Sequence, residues 1–68
     1  MKLDEYIQQR GITQKKFISE LNQEYNRPVS QGALTKWIGR QRIPRYKDMR
    51  IIYVATDGKV TPNDFYDL

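Results

Sequence analysis

Residues 13–44 read TQKKFISELNQEYNRPVSQGALTKWIGRQRIP, and they contain the clearest helical pattern of the chain. Apolar residues recur in it at helical spacing in two separate segments. Each segment follows a hydroxyl residue, Thr13 or Ser30, that can cap a helix. The pattern predicts one helix over about residues 14–25 and a shorter helix over residues 31–38, or 39.

The segments on either side continue the helical pattern. Apolar residues near the amino terminus predict a first helix that Gly11 closes, because glycine readily takes the left-handed conformation at a helix end. Residues 46–56 predict a fourth helix that Asp57-Gly58 terminates, and a last helix begins after the capping residue Thr61, with Pro62 in its first position. The residues expected to face the core are Leu3, Tyr6, Ile7, Phe17, Ile18, Leu21, Tyr25, Leu34, Trp37, Ile38, Tyr46, Met49, Ile52 and Tyr53.

Residues 51–54 leave one alternative open, since a β-branched run before Asp57-Gly58 is typical of a β-hairpin. The second strand of that hairpin would have almost no room, because a helix start follows at Thr61. The helical interpretation is therefore favoured. The sequence predicts an all-α fold, a single small helical bundle of about five helices that forms one domain over residues 1–68.

The charge is unevenly distributed along the chain. Lysine and arginine number 12 against 8 acidic residues, and residues 30–50 alone carry six basic side chains against one acidic side chain, a net charge of +5. A concentrated positive segment is the electrostatic footprint of a protein that binds a polyanion, although a solvated charged face has the same composition.

Several residue types that catalysis uses are missing. The chain has no histidine and no cysteine, which excludes the commonest acid–base group, disulfides and cysteine-based metal sites. Neither a glycine-rich phosphate loop nor a carboxylate pair suited to a shared cavity occurs. We therefore expect no enzymatic activity, no cofactor and no small-molecule substrate. No apolar run resembles a signal peptide or the roughly 20 residues of a membrane span, so a cytoplasmic protein without membrane contact is expected.

The short helix over residues 31–38 is the candidate DNA-reading element. A helix enters the major groove end-on, so the outward residues of its first two turns reach base edges. These residues are Gln31, Gly32, Thr35 and Lys36. Glutamine suits a bidentate contact with adenine, lysine suits the acceptors of guanine, and threonine offers a hydroxyl or a methyl group. Arg40 and Arg42 follow the helix, where they can bind the flanking phosphates.

Three stretches of the chain resemble a known family: Thr-Gln-Lys-Lys-Phe, Val-Ser-Gln-Gly-Ala-Leu-Thr-Lys-Trp and Arg-Gln-Arg-Ile-Pro. They are similar to the helix-turn-helix of phage Cro proteins and related Cro-type bacterial regulators, and the ending from Thr56 to Tyr66 resembles the tail of the YdaS-like Cro relatives. The resemblance implies a lambda-repressor-like bundle and a repressor of phage or prophage origin that binds operator DNA in the nucleoid of a bacterial host. It places base contacts at Gln31, Gly32, Thr35 and Lys36, and phosphate contacts at Gln14, Ser30, Arg40 and Arg42. Lys15, next to Gln14, is also expected to contact a phosphate.

The chain departs from the family pattern at two places. An insertion of six residues, 23–28, lengthens the usual tight turn between the two helices of the motif. The glycine that follows the second helix in the family corresponds to Arg40, whereas Gly39 stands one position earlier in this chain.

The leading hypothesis is a transcriptional regulator that binds double-stranded DNA sequence-specifically. One reading helix covers only a half-site, so a homodimer on a pseudo-palindromic operator is expected, at least on DNA. The alternative is a protein-interaction module that docks on a repressor or a host transcription factor. Its apolar surface would consist of Ile51, Tyr53, Val54, Phe65, Tyr66 and Leu68.

Overall fold

The computed structural model describes residues 1–66, and this part of the chain is helical without any strand. The α-helices are α1 (Leu3–Arg10), α2 (Gln14–Glu24), α3 (Gln31–Ile38) and α4 (Tyr46–Ala55), and a 3-10 turn follows at Pro62–Phe65. The all-α prediction is confirmed, and the strand alternative for residues 51–54 is wrong because these residues lie inside α4. The last of the predicted helices is one 3-10 turn rather than an α-helix. No helix of residues 1–66 has the length and apolar composition needed to cross a bilayer.

Hydrogen bonds at the helix starts explain why α2 and α3 begin where the sequence predicts. The Thr13 hydroxyl accepts a hydrogen bond from the Lys16 amide at 3.0 Å, and the Ser30 hydroxyl accepts one from the Ala33 amide at 3.1 Å. Each bond satisfies an amide group that the first turn of a helix leaves without a partner. At the end of α1, Gly11 takes a left-handed φ of 68°. Local chemistry therefore fixes these boundaries before any packing does.

One hydrophobic cluster joins the four helices. Phe17 and Leu21 of α2 and Leu34 of α3 are completely buried, and α2 packs against both α3 and α4. The ring of Tyr6 in α1 meets Phe17 edge-on, with centroids 6.0 Å apart. The buried apolar residues of the cluster are Leu3, Tyr6, Ile7, Phe17, Leu21, Val29, Leu34, Trp37, Ile52 and Val60. Because Leu34 and Trp37 both belong to it, one side of α3 is anchored in the core.

Helix α4 turns a different face inward from the one predicted. Tyr46 is 72% exposed and Tyr53 is 47% exposed, so the prediction that both face the core is wrong. The inward residues are Met49, Ile52 and Thr56. The Thr56 hydroxyl can be buried because it donates to the Ile52 carbonyl at 2.8 Å and accepts from the Val60 amide at 3.1 Å. A prediction of the buried side of α4 from apolar residues alone leaves out Thr56. It selects Tyr46 and Tyr53 instead.

Polar contacts around Asp64 hold the 3-10 turn against the start of α1. The Asp64 carboxylate accepts hydrogen bonds from the Thr61 amide at 2.7 Å and the Thr61 hydroxyl at 3.0 Å, and it lies 3.1 Å from the Met1 ammonium group. The Lys2 ammonium donates to the Asp64 carbonyl oxygen at 2.7 Å. Partial burial favours a higher pKa for Asp64, but the bonds from Thr61 and Met1 outweigh it and lower the pKa below its ordinary value.

The connection between α2 and α3 is fastened to both α2 and α4. The Asn22 side-chain oxygen accepts a hydrogen bond from the Val29 amide at 2.9 Å, and the Arg27 amide donates to the Leu21 carbonyl at 3.1 Å. The Arg27 guanidinium also forms an ion pair with Asp48 of α4, with 2.6 Å between Nε and Oδ1. These bonds give the long connection a defined path and hold the residue before the Ser30 cap in place.

Candidate nucleic-acid interface

The four residues predicted to contact bases share one side of α3, which we term the outer face of α3. The face consists of Gln31, Gly32, Thr35 and Lys36, and all four are exposed. Residues three or four positions apart are neighbours on the surface of a helix, which joins Gln31 to Thr35, Gly32 to Thr35 and Gly32 to Lys36. The opposite side carries Leu34 and Trp37, which are buried. The structure therefore brings the predicted set together on a helix whose other side is held by the core.

A polar contact joins this face to the start of α2. Gln31 Nε2 donates a hydrogen bond to Gln14 Oε1 at 2.6 Å and a longer one to Thr35 Oγ1 at 3.3 Å. Gln14 and Gln31 are each the first residue after a capping hydroxyl. From the sequence, Gln14 is predicted to contact a phosphate and Gln31 a base, and the hydrogen bond between them is not predicted. Their shared position after a cap was visible in the sequence, whereas the packing of α2 against α3 was not.

The contact orients the Gln31 side chain without using all of its hydrogen-bonding capacity. Both Nε2 hydrogens have an acceptor, whereas among residues 1–66 neither Gln31 Oε1 nor Gln14 Nε2 takes part in a hydrogen bond. One acceptor and one donor group therefore remain for a ligand. A side chain that is already held in one conformation also loses less rotamer entropy when it binds.

The loop after α3 begins with a left-handed arginine. The Gln41 amide donates to the Lys36 carbonyl at 2.9 Å, and the Arg40 amide donates to the Trp37 carbonyl at 3.3 Å. These two bonds form a Schellman motif, which places a left-handed residue after the helix. That residue is Arg40, with φ of 62°, whereas Gly39 has an ordinary φ of −78°. Arg40 thus takes the conformation that glycine adopts most readily at this position of the motif.

The remaining predicted phosphate-binding residues lie at the helix starts and in the same loop. Lys15 follows Gln14, and Ser30 precedes Gln31; both are exposed. Gln14 itself is half-buried. Arg42 is exposed, and its amide donates to the Lys36 carbonyl at 3.3 Å. The structure therefore places Arg42 just beyond the end of α3 and fixes its backbone there.

The one acidic residue of the basic segment, residues 30–50, pairs with a cation outside that segment. This residue, Asp48, is paired with Arg27, and their hydrogen bond raises the pKa of the arginine. Three further cations, Arg45, Lys47 and Arg50, are exposed at the start and middle of α4. The sequence analysis counted these three residues in the basic segment but left them out of the predicted site.

A cleft of about 630 Å³ lies beside the loop after α3. Its apolar lining comes from α1, the end of α3, the following loop and the 3-10 turn, namely Leu3, Trp37, Ile38, Ile43 and Phe65, and Arg40 and Arg42 also line it. Residues 1–66 contain no group of three or more histidine, cysteine or acidic side chains that could hold a metal ion.

No family model, no curated protein and no solved structure matches this chain. The proposals below therefore depend on the residues of the outer face of α3, on their surroundings and on the exposed side of α4.

Proposed function

We propose that the chain is a helix-turn-helix domain that binds duplex DNA sequence-specifically and regulates transcription as a Cro-like repressor does. In this proposal α2 and α3 are the two helices of the motif, a lengthened turn joins them, and α3 enters the major groove. The outer face of α3 carries the proposal, because it presents exposed hydrogen-bonding side chains on a helix anchored by Leu34 and Trp37. The proposed regulator needs neither a cofactor nor a catalytic group, and it would act at the nucleoid of a bacterial cell.

Gln31 is the residue proposed to contact adenine. A bidentate contact requires Oε1 to accept from the adenine amino group and Nε2 to donate to N7. Oε1 is available, and Nε2 can exchange its 3.3 Å bond to Thr35 for the N7 contact while it keeps the 2.6 Å bond to Gln14. Gln14 can then donate through its own Nε2 to a neighbouring phosphate. Lys36, one turn further along the same face, is proposed to contact guanine acceptors.

Phosphate contacts are proposed for Lys15, Arg40 and Arg42, with neutral contributions from Gln14 and Ser30. Each cation that neutralises a phosphate releases counterions, so the binding constant falls with salt. Three such cations predict a slope of roughly −2.7 in log K against log salt for each bound subunit. This non-specific part of the affinity should be equal on random and on preferred sequences.

The decisive experiment selects bound sites from a random duplex library and then measures dissociation constants on the preferred site. Gln31→Ala and Lys36→Ala should each cost roughly 1–3 kcal/mol on that site and much less on random DNA. Gln9→Ala is the matched control, because Gln9 is an exposed glutamine of α1. Unchanged binding of the double variant to the preferred site would show that α3 is not the reading helix.

One α3 covers only a half-site, so the bound form is proposed to be a homodimer on a pseudo-palindromic operator. Sedimentation of the protein with an operator duplex checks this. A strict one-to-one complex on a palindromic site would contradict pairing.

A second candidate function is a protein-interaction module that docks on a repressor or a host transcription factor. It is favoured by the exposed apolar side chains Tyr53 and Val54 in α4 and Tyr66 beyond the 3-10 turn, with Ile51 and Phe65 half-buried beside them. Leu68, which the sequence analysis included in this surface, lies outside the described residues. Titration with random duplex DNA at low salt separates the two functions, because a pure adaptor should cause no mobility shift.

A further inference from the structure

Helix α4 presents an exposed side that combines aromatic, aliphatic and basic residues. We term this side the outer face of α4, consisting of Tyr46, Lys47, Arg50, Tyr53 and Val54, all of them exposed. The exposed fractions of the apolar members are 72% for Tyr46, 47% for Tyr53 and 58% for Val54. The Arg50 guanidinium lies 5.9 Å from the centroid of the Tyr46 ring, within the range of a cation–π contact. Three large apolar side chains, one in the first turn of α4 and two neighbouring ones about two turns later, form a patch of the kind that marks an interaction surface.

The charges at the two ends of this face have the wrong sign for their own helix. Lys47 lies in the first turn of α4, where the helix dipole is positive, and Asp57 lies just past the last turn, where it is negative. Neither side chain forms an ion pair within residues 1–66. Such an arrangement is unfavourable in an isolated helix, but it is complementary to a second α4 that runs in the opposite direction.

We propose that the outer face of α4 binds the same face of a second copy of this chain, with the two helices antiparallel about a two-fold axis. An interface of this type is self-complementary, so every contact occurs twice. With the axis level with Ile52, Lys47 of one copy faces Asp57 of the other, and Arg50 faces Val54. From Lys47 to the end of α4 at Ala55 the helix spans about 12 Å, and Asp57 follows two residues later in a left-handed turn, so the two ion pairs lie at opposite ends of the interface.

The size of this face determines how strong the association is. A stable dimer buries roughly 1,200–2,000 Å² in total, and a pair of ten-residue helices buries less. The dimer is therefore weak in free solution. If two copies also bind neighbouring half-sites of one operator, which depends on the proposed DNA-binding function, the second contact becomes intramolecular and the dimer is stabilised.

The first test is sedimentation equilibrium of the full chain without DNA, from about 10 µM to about 1 mM. Lys47→Glu and Asp57→Lys should each weaken self-association about tenfold, because each replaces two attractive pairs by two repulsive ones. The combined Lys47→Glu/Asp57→Lys variant should recover the wild-type association. Lys16→Glu is the control of equal charge change, since Lys16 is exposed on α2. A wild-type chain that stays monomeric at 1 mM, or a combined variant as weak as the single ones, overturns the proposal and leaves this face to a different partner.

The second test determines the direction of the two helices. The chain contains no cysteine, so single cysteines form disulfides only between the chosen positions. A mixture of Lys47→Cys and Asp57→Cys proteins should form the mixed disulfide dimer under mild oxidation, whereas Lys47→Cys alone should not dimerise. The mixed dimer keeps one native Lys47–Asp57 pair at the other end. The opposite outcome, in which Lys47→Cys dimerises alone, indicates parallel helices and overturns the antiparallel arrangement.

Failure of this inference and failure of the DNA-binding proposal are distinguishable. Both tests are made without DNA, so a monomeric result says nothing against α3 as a reading helix. Conversely, Gln31→Ala should reduce sequence preference by the roughly 1–3 kcal/mol given above and leave self-association unchanged.

Discussion

Replacement of Arg40 by glycine should leave the protein more stable than replacement by alanine does, and it should weaken the proposed DNA binding. Arg40 takes the left-handed conformation at the end of α3, with φ of 62°. A residue with a side chain is strained there, and glycine is not. The position therefore carries an arginine at a cost in stability, which is expected where the side chain serves binding.

The magnitude follows from a comparison of two variants that both lack the guanidinium group. The left-handed conformation costs a residue with a Cβ roughly 1–2 kcal/mol, and glycine avoids this cost. Glycine also lowers the free energy of unfolding by roughly 0.5–1 kcal/mol relative to alanine, because it gives the unfolded chain more conformational freedom. Arg40→Gly should therefore exceed Arg40→Ala in the free energy of unfolding by about 1 kcal/mol. For a domain of this size that is about 4–8 °C in Tm.

Urea and thermal unfolding measure this difference, and Arg42→Gly is the matched control. The φ of Arg42 is not positive, so glycine there relieves no strain and should lower stability by up to about 1 kcal/mol. On DNA, both glycine variants should lose one phosphate contact and reduce the salt slope by roughly 0.9. Equal stability of Arg40→Gly and Arg40→Ala would refute the backbone assignment. An unchanged salt slope would refute the phosphate contact.

Three further predictions concern single polar contacts. Thr56→Val should lower the free energy of unfolding by about 1–3 kcal/mol, because the buried Val60 amide loses its acceptor; a urea titration that shows no loss contradicts the bond. Ser30→Ala should lower the free energy of unfolding by about 1 kcal/mol, because the helix cap is lost. Ser30→Asp should restore the cap and the stability, but its negative charge should repel phosphate and weaken DNA binding. Retained affinity of the aspartate variant would place Ser30 away from DNA. Glu20→Gln should cost about 0.5–1 kcal/mol at neutral pH. The hydrogen bond from Arg10 lowers the pKa of Glu20 below 4.5, so this contribution is present above that pH and is lost as the pH falls through the lowered pKa; a stability difference that persists in acid would contradict it.

The helix boundaries could be predicted because their causes are local. Thr13 and Ser30 cap their own helices through bonds to amides three residues ahead, and Gly11 closes α1 with its own backbone conformation. The exposed set on α3 follows from the same periodicity, since Leu34 and Trp37 fix which side is buried. These features need no knowledge of the neighbouring helices.

The errors in the sequence analysis arose where a residue's environment depends on distant contacts. Tyr46 and Tyr53 are aromatic residues of a kind often found in cores, yet both are exposed. Thr56 is buried instead, because backbone groups satisfy the hydrogen bonds of its hydroxyl. The bond between Gln14 and Gln31 joins residues 17 positions apart in different helices. Neither a burial that depends on hydrogen bonding nor a contact across helices leaves a periodic signal in the sequence.

The ion pair between Arg27 and Asp48 has a consequence for how titrations with added electrolyte are interpreted. It couples the segment just before α3 to α4, and its side chains are 33% and 12% exposed, so dissolved ions reach it. Raising the ionic strength would therefore screen the proposed protein–DNA attraction and also weaken an ion pair that helps to position α3. The number of phosphate contacts derived from such a titration would be too large, because it would include the effect of salt on the Arg27–Asp48 ion pair. An Asp48→Asn protein lacks this ion pair, so the salt slope of its DNA binding would give the number of phosphate contacts alone.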